Sequence, residues 1–148
     1  MNWASLDFAW NYARSQGAVF TGHTLISATQ IPSWVAGLTP SEQALQVEEW
    51  IKLYCKKYSD YQLLNVVNEP LHGAPNYADA IGGAGTTGWD WVIWAYQKAR
   101  LYCPNAKLII SDYDILTNDA NTQSYIQLIN LLKARNLIDG IGEQGHKL

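Results

Sequence analysis

Short apolar runs alternate with longer stretches in which apolar residues recur every three or four positions, along the whole chain. Ser5 to Gln16 has the helical spacing, with Leu6, Trp10 and Ala13 on one stripe and Gly17 as a stop. Ala18-Val19-Phe20 then reads as a short strand ending in Thr21-Gly22-His23-Thr24. Ser27 to Gly37 is loop-like and holds Pro32 and Trp34. Thr39-Pro40-Ser41-Glu42 is a helix start: Thr39 caps, Pro40 suits the first helical position, and Glu42 closes a capping box. That helix is expected to reach about Tyr58, with Leu45, Val47, Trp50, Ile51 and Tyr54 as its apolar positions.

Leu64-Asn65-Val66-Val67-Asn68-Glu69-Pro70 follows as a buried strand, because paired Val in a short apolar run suits a fully covered parallel strand. Pro70 offers no ladder hydrogen, so the strand should stop there and leave Asn68 and Glu69 at its tip. A long polar loop opens with Leu71-His72-Gly73 and continues from Asn76 to Gly85. Its glycines lack the Gly-Lys-Ser/Thr of a phosphate loop. Thr87 to Cys103 reads as a helix carrying Trp89, Trp91, Trp94 and Tyr96 as core aromatics. Lys107-Leu108-Ile109-Ile110-Ser111 is a third strand tipped by Asp112-Tyr113-Asp114, Asn121 to Arg135 a helix, and Leu137 to Gly142 a fourth strand. Glu143-Gln144-Gly145-His146 follows, so each strand is expected to end in polar groups: His23, Asn68 and Glu69, Asp112, then Gln144 and His146. Strand–helix alternation with right-handed crossovers gives a parallel sheet whose tips share one face, where α/β proteins collect their chemistry.

Composition narrows this reading. The 148 residues suit one domain, and the net charge of −3 supplies no basic stripe for nucleic acid. Seven Trp and nine Tyr are many for this length, either as core or as stacking platforms for flat ligands such as sugar rings. No apolar stretch is long enough to span a membrane, and Met1-Asn2-Trp3-Ala4 lacks the basic-then-apolar pattern of a signal peptide. Cys55 and Cys103 fall in predicted helices and read by default as two buried free thiols; a disulfide between those helices is the alternative. His23, His72 and His146 are too scattered for a zinc set, and no metal or organic cofactor is implied. His23 by itself is either a packed histidine or a ligand contact.

Five stretches, in order, resemble glycoside hydrolase family 10, the endo-β-1,4-xylanase family. They are Gly22-His23-Thr24-Leu25, Pro32-Ser33-Trp34, Val66-Val67-Asn68-Glu69-Pro70-Leu71-His72, Ser111-Asp112-Tyr113, and Ile138-Asp139-Gly140-Ile141-Gly142-Glu143-Gln144-Gly145-His146. The resemblance implies a partial (β/α)8 TIM barrel of about four parallel strands, the third to the sixth, with residues 1–148 as one partial catalytic domain. It further implies hydrolysis of β-1,4-xylosidic bonds with retention, Glu69 as acid/base and Asn68 on the sugar hydroxyl beside the cleaved bond. His23, Gln144 and His146 resemble the family's residues around the sugar. Ser27-Ala28 stand where the family usually has Trp and often His, and Ser111 replaces an Asn.

The family places its nucleophilic Glu on the seventh strand, beyond the four recognised here. Retention needs two carboxyl groups about 5–5.5 Å apart, so the chain is expected to need a second carboxylate. Among the tips only Asp112 and Glu143 offer one, and strand alternation turns Glu143 away from the side Gln144 faces. The expected partners are xylan or xylo-oligosaccharide, plus a second copy or complementary chain covering the sheet edges. Alternatives are a non-catalytic carbohydrate-binding half barrel and a self-assembling structural fragment. The family implies an extracellular setting.

Overall fold

A computed structural model describes residues 3–59 and 63–145. Among them eight elements alternate: α1 (Ala4–Ser15), β1 (Thr21–Ser27), α2 (Pro40–Lys57), β2 (Leu63–Asn68), α3 (Asp90–Tyr102), β3 (Lys107–Asp112), α4 (Asp119–Lys133) and β4 (Gly140–Glu143). The four strands form one parallel sheet in chain order. Ser27, Asn68, Ser111 and Gly142 stand side by side across it, so the C-terminal ends lie level. Leu64, Val66, Val67, Leu108 and Ile110 are fully buried, as expected of strands covered on both faces. Chain order and right-handed twist bring β1 to β4 together as a section of a (β/α)8 barrel.

Helix ends explain where the strands begin. At the end of α1, Gly17 adopts φ +63° and the Ala18 amide donates to the Ala13 carbonyl, a Schellman closure. Ala18 is thus committed to the helix, Val19 is exposed, and the ladder starts only at Thr21. The expected strand at Ala18-Val19-Phe20 is therefore displaced, and His23 lies inside β1 rather than at its tip. The same device operates after α4. Asn136 takes φ +55°, Leu137 donates to the Leu132 carbonyl, and β4 starts at Gly140 instead of Leu137. Asp139 bridges the gap by accepting from the Leu108 amide (2.8 Å) and Arg100 (2.6 Å).

The capping box at Thr39 and Glu42 is present, with Pro40 in the first turn of α2. Val47, Ile51 and Tyr54 are buried and Trp50 packs against the core, but Leu45 is exposed on the outer face of the helix. α3 begins at Asp90 rather than Thr87. The Asp90 carboxylate accepts from the Thr86 and Thr87 amides and from the Thr87 hydroxyl, holding those residues as a turn before the helix. Trp91 and Tyr96 are buried, and Trp89 and Trp94 pack at the margin of the core.

Cys55 and Cys103 are joined in a disulfide, which overturns the reading as free thiols. Packing of α2 against α3 brings the last turn of one beside the residue that ends the other, with the Cα atoms 5.1 Å apart. That proximity is tertiary, and the sequence separation of 48 gives no sign of it.

Candidate active site

β2 ends at Asn68, and the next residue, Glu69, takes φ +56°, a left-handed conformation that costs a non-glycine residue about 1–3 kcal/mol. Its amide still donates to the Ser111 carbonyl of β3 (2.8 Å), so the turn remains tied to the sheet. The turn that follows is organised by Asp112, whose side chain is completely buried. One carboxylate oxygen accepts from the Leu71 amide (2.9 Å). The other accepts from the Tyr113 amide (2.9 Å) and lies 2.7 Å from His72 Nδ1. The His72 ring stacks on Tyr113, centroids 3.6 Å apart. Asp112 therefore holds the segment just past Glu69 at two points, Leu71 and His72, while its bond to Tyr113 fixes its own carboxylate. Both of its oxygens are engaged, so it is not poised to attack an anomeric carbon.

Gln144 follows β4, and its amide nitrogen donates to Glu69 Oε1 (3.0 Å) and to Asn68 Oδ1 (3.2 Å). Asn65 Nδ2 donates to the same Asn68 oxygen (3.1 Å) and lies 3.1 Å from His23 Nδ1. Strict alternation would send Asn65 and Asn68, three residues apart, to opposite faces of β2. The β2–β3 register shifts between them, and the β1–β2 register shifts between His23 and Ile26, so all three side chains meet on one side. Thr24 Oγ1 donates to the Asn65 carbonyl (2.9 Å) where the ladder is interrupted. Behind the site, the Tyr125 hydroxyl lies 3.0 Å from the carbonyls of both Ile110 and Gly142, tying β3 to β4. Burial, then the charges of Asp112 and Glu143, pushes the Tyr125 phenol above its ordinary range, so it stays protonated.

Of the residues singled out from sequence, Glu69, Asn68, Gln144 and His23 are thus brought into one network. Glu143 is exposed. His146 lies outside the described residues. Asn65 belongs to the network and was not among the expected site residues. The sign of it was an amide interrupting an apolar strand, where a polar group is buried only with partners. A hollow of about 520 Å³ adjoins the His23 end, bordered by Ser27, Trp34, Trp50 and Tyr77. A shallower one of about 400 Å³ borders Pro70, His72 and Trp89 on the other side. Among the described residues no cluster of His, Cys, Asp and Glu is arranged to hold a metal ion.

The model of glycosyl hydrolase family 10 matches residues 1–148. The chain belongs to this family. It is 38% identical over 150 residues to endo-1,4-beta-xylanase B of Cellvibrio japonicus, covering 99% of this chain and 23% of that protein. It is 31% identical to an endo-1,4-beta-xylanase of Agaricus bisporus, covering 95% of this chain and 43% of the relative. Among solved structures it matches an endo-1,4-beta-xylanase from Caldicellulosiruptor owensensis with a TM-score of 0.82 at 26% identity, over 98% of this chain and 46% of that one. A psychrophilic endo-beta-1,4-xylanase of the family matches with a TM-score of 0.82 at 28% identity, over 99% and 49%. The chain thus spans less than half the length of these relatives, and its four strands are a section of the (β/α)8 barrel.

Proposed function

We propose that these residues form the acid/base half of a retaining endo-β-1,4-xylanase site, within one partial catalytic domain spanning residues 1–148. The observation that carries the proposal is the fixed Glu69 carboxyl, set by the left-handed turn and held at one oxygen by Gln144. Protonated at its other oxygen, Glu69 would donate to the departing glycosidic oxygen. As a carboxylate it would then take a proton from the water that resolves the glycosyl intermediate. Asn68, its Oδ1 occupied by two donors, presents its amide nitrogen to the hydroxyl beside the cleaved bond, where charge develops. His23, Gln144 and His146 complete the proposed sugar contacts, and xylan or xylo-oligosaccharide is the proposed partner.

The nucleophile must come from a second carboxylate about 5–5.5 Å from Glu69. With Asp112 engaged and Glu143 exposed, that group is proposed to come from barrel strands outside the four seen here. A section lacking it would hold xylan without cutting it, and the preorganised Asn65–Asn68–Gln144 network favours this as the second reading. An extracellular setting is supported by the Cys55–Cys103 disulfide, since such bonds persist in oxidising compartments.

The test is reducing-sugar release from xylan by the chain, alone and joined to the remaining strands of a family barrel, each beside Glu69→Gln. Release from the completed barrel that falls in the variant, with recovery on substrates whose leaving group needs no protonation, supports the acid/base role. Release indifferent to Glu69→Gln removes it. Xylo-oligosaccharide binding by the chain without release identifies the second reading.

A further inference from the structure

We propose that Asn65 is a positioning residue that fixes His23 as a neutral imidazole with its hydrogen on Nε2, making that edge a donor to a sugar hydroxyl. The proton assignment stands on hydrogen-bond geometry with Glu69 as a carboxylate, whereas the donor role rests on the sugar-site reading above.

Each polar atom in the network constrains the next. As a carboxylate Glu69 only accepts, so the Gln144 atom 3.0 Å from it is the amide nitrogen. That nitrogen also reaches Asn68, at 3.2 Å, and must meet the Asn68 oxygen. Asn65 approaches this same oxygen at 3.1 Å and therefore presents Nδ2. The second hydrogen of Nδ2 is aimed at His23 Nδ1, 3.1 Å away, which must offer a lone pair. A neutral histidine accepting at Nδ1 carries its hydrogen on Nε2. The orientation of four side chains on β1, β2 and the end of β4 thus follows from the charge of Glu69.

The independent sign is Asn65 itself. It is 1% exposed, and its Oδ1 is the one buried side-chain nitrogen or oxygen found without a hydrogen-bond partner among the described residues. Reversing the amide would set its oxygen against the Asn68 oxygen and withdraw the donor from His23. The amide is therefore oriented by its neighbours at the expense of its own acceptor. A residue retained for strand packing alone would be apolar here, like Leu64, Val66 and Val67 around it. His23 and Asn65 stand opposite each other in the β1–β2 register, which makes the contact direct.

The assignment is tested by long-range proton–nitrogen NMR of the ¹⁵N-histidine-labelled 148-residue chain at mildly alkaline pH, where carboxyl groups are ionised and histidine is neutral. The expected His23 signature is an unprotonated Nδ1 and a protonated Nε2. Asn65→Asp replaces the donor by an acceptor and should move the hydrogen to Nδ1; Asn65→Leu should give a mixture of tautomers. A protonated Nδ1 in the unsubstituted chain overturns the proposal, and that measurement needs no variant to fold. An unchanged tautomer in a folded Asn65→Asp chain does the same. Calorimetric binding of xylotriose tests the donor role, with affinity expected to fall about tenfold in Asn65→Asp, the loss of roughly one hydrogen bond. Equal affinity, or no binding by the unsubstituted chain, removes that role. Hydrolysis that survives Glu69→Gln sinks the acid/base reading while leaving the His23 tautomer as assigned.

Discussion

Glu69 and Asp112 divide the work at the tips of β2 and β3. One carboxyl is half-buried and held by a single amide, which leaves an oxygen for the proposed proton transfer; the other is fully buried and spent on Leu71, His72 and Tyr113. In a completed barrel, Glu69→Gln is expected to lower kcat on xylan by about 10²–10⁴, the usual worth of a positioned general acid. A kcat within about threefold of the parent would remove the residue from catalysis. Asp112→Ala removes a fully buried carboxylate and the acceptor of two backbone amides and an imidazole, so a stability loss of about 3 kcal/mol is expected in urea unfolding. A loss under about 1 kcal/mol would show that water replaces the carboxylate. Sequence pointed to Glu69, Asn68, Gln144 and His23 through their places near strand ends. It gave Asp112 no structural task, because the turn it holds is built from residues about forty positions earlier.

At the scale of elements, α2 and α3 are joined twice. The Cys55–Cys103 disulfide closes a sequence separation of 48, and restricting the unfolded chain by such a loop is worth about 4 kcal/mol in the chain-entropy model. Cys55→Ser with Cys103→Ser should lose stability of that order in denaturant unfolding. No change on reduction would mean that the thiols are not joined in solution. The second link is Glu48, which accepts from Lys98 (2.7 Å) and the Tyr102 hydroxyl (2.6 Å). The Lys98 contact first, then Tyr102, holds the Glu48 carboxyl below its ordinary value of 4.5. With the folded value depressed, the link stabilises fully above the ordinary value and loses its contribution as pH falls through the lowered one. Lys98→Met should therefore lower Tm at neutral pH, with the difference from the parent closing as pH falls through the lowered value, so that the acid slope of the Tm-versus-pH curve is flattened. An unaltered acid slope would show that solvent screening has cancelled the pair. The Thr39 capping box was legible because capping is local. The starts of β1 and β4 were not, because the Schellman closures after α1 and α4 take amides that an apolar run assigns to the sheet.

At the scale of the whole molecule, among the described residues β1 and β4 have no strand partner on their outer sides, and Ile141 on β4 and Phe8 on α1 are exposed. Open edges beside exposed apolar groups favour pairing, so a second copy or a complementary set of strands is the proposed cover. Sedimentation of the 148-residue chain should show species heavier than the monomer, and a folded monomer in dilute solution would count against this cover. Family and parallel strand order were readable from the sequence because strand–helix alternation is periodic and the tip motifs are contiguous. Burial of β2, the capping box and the general place of Glu69 were likewise local consequences of residue order. The Cys55–Cys103 bond, the turn held by Asp112 and the entry of Asn65 into the site were decided by the folded structure alone. Each depends on two chain segments meeting in register, and for Asn65 on ladder irregularities that override the strand's own alternation.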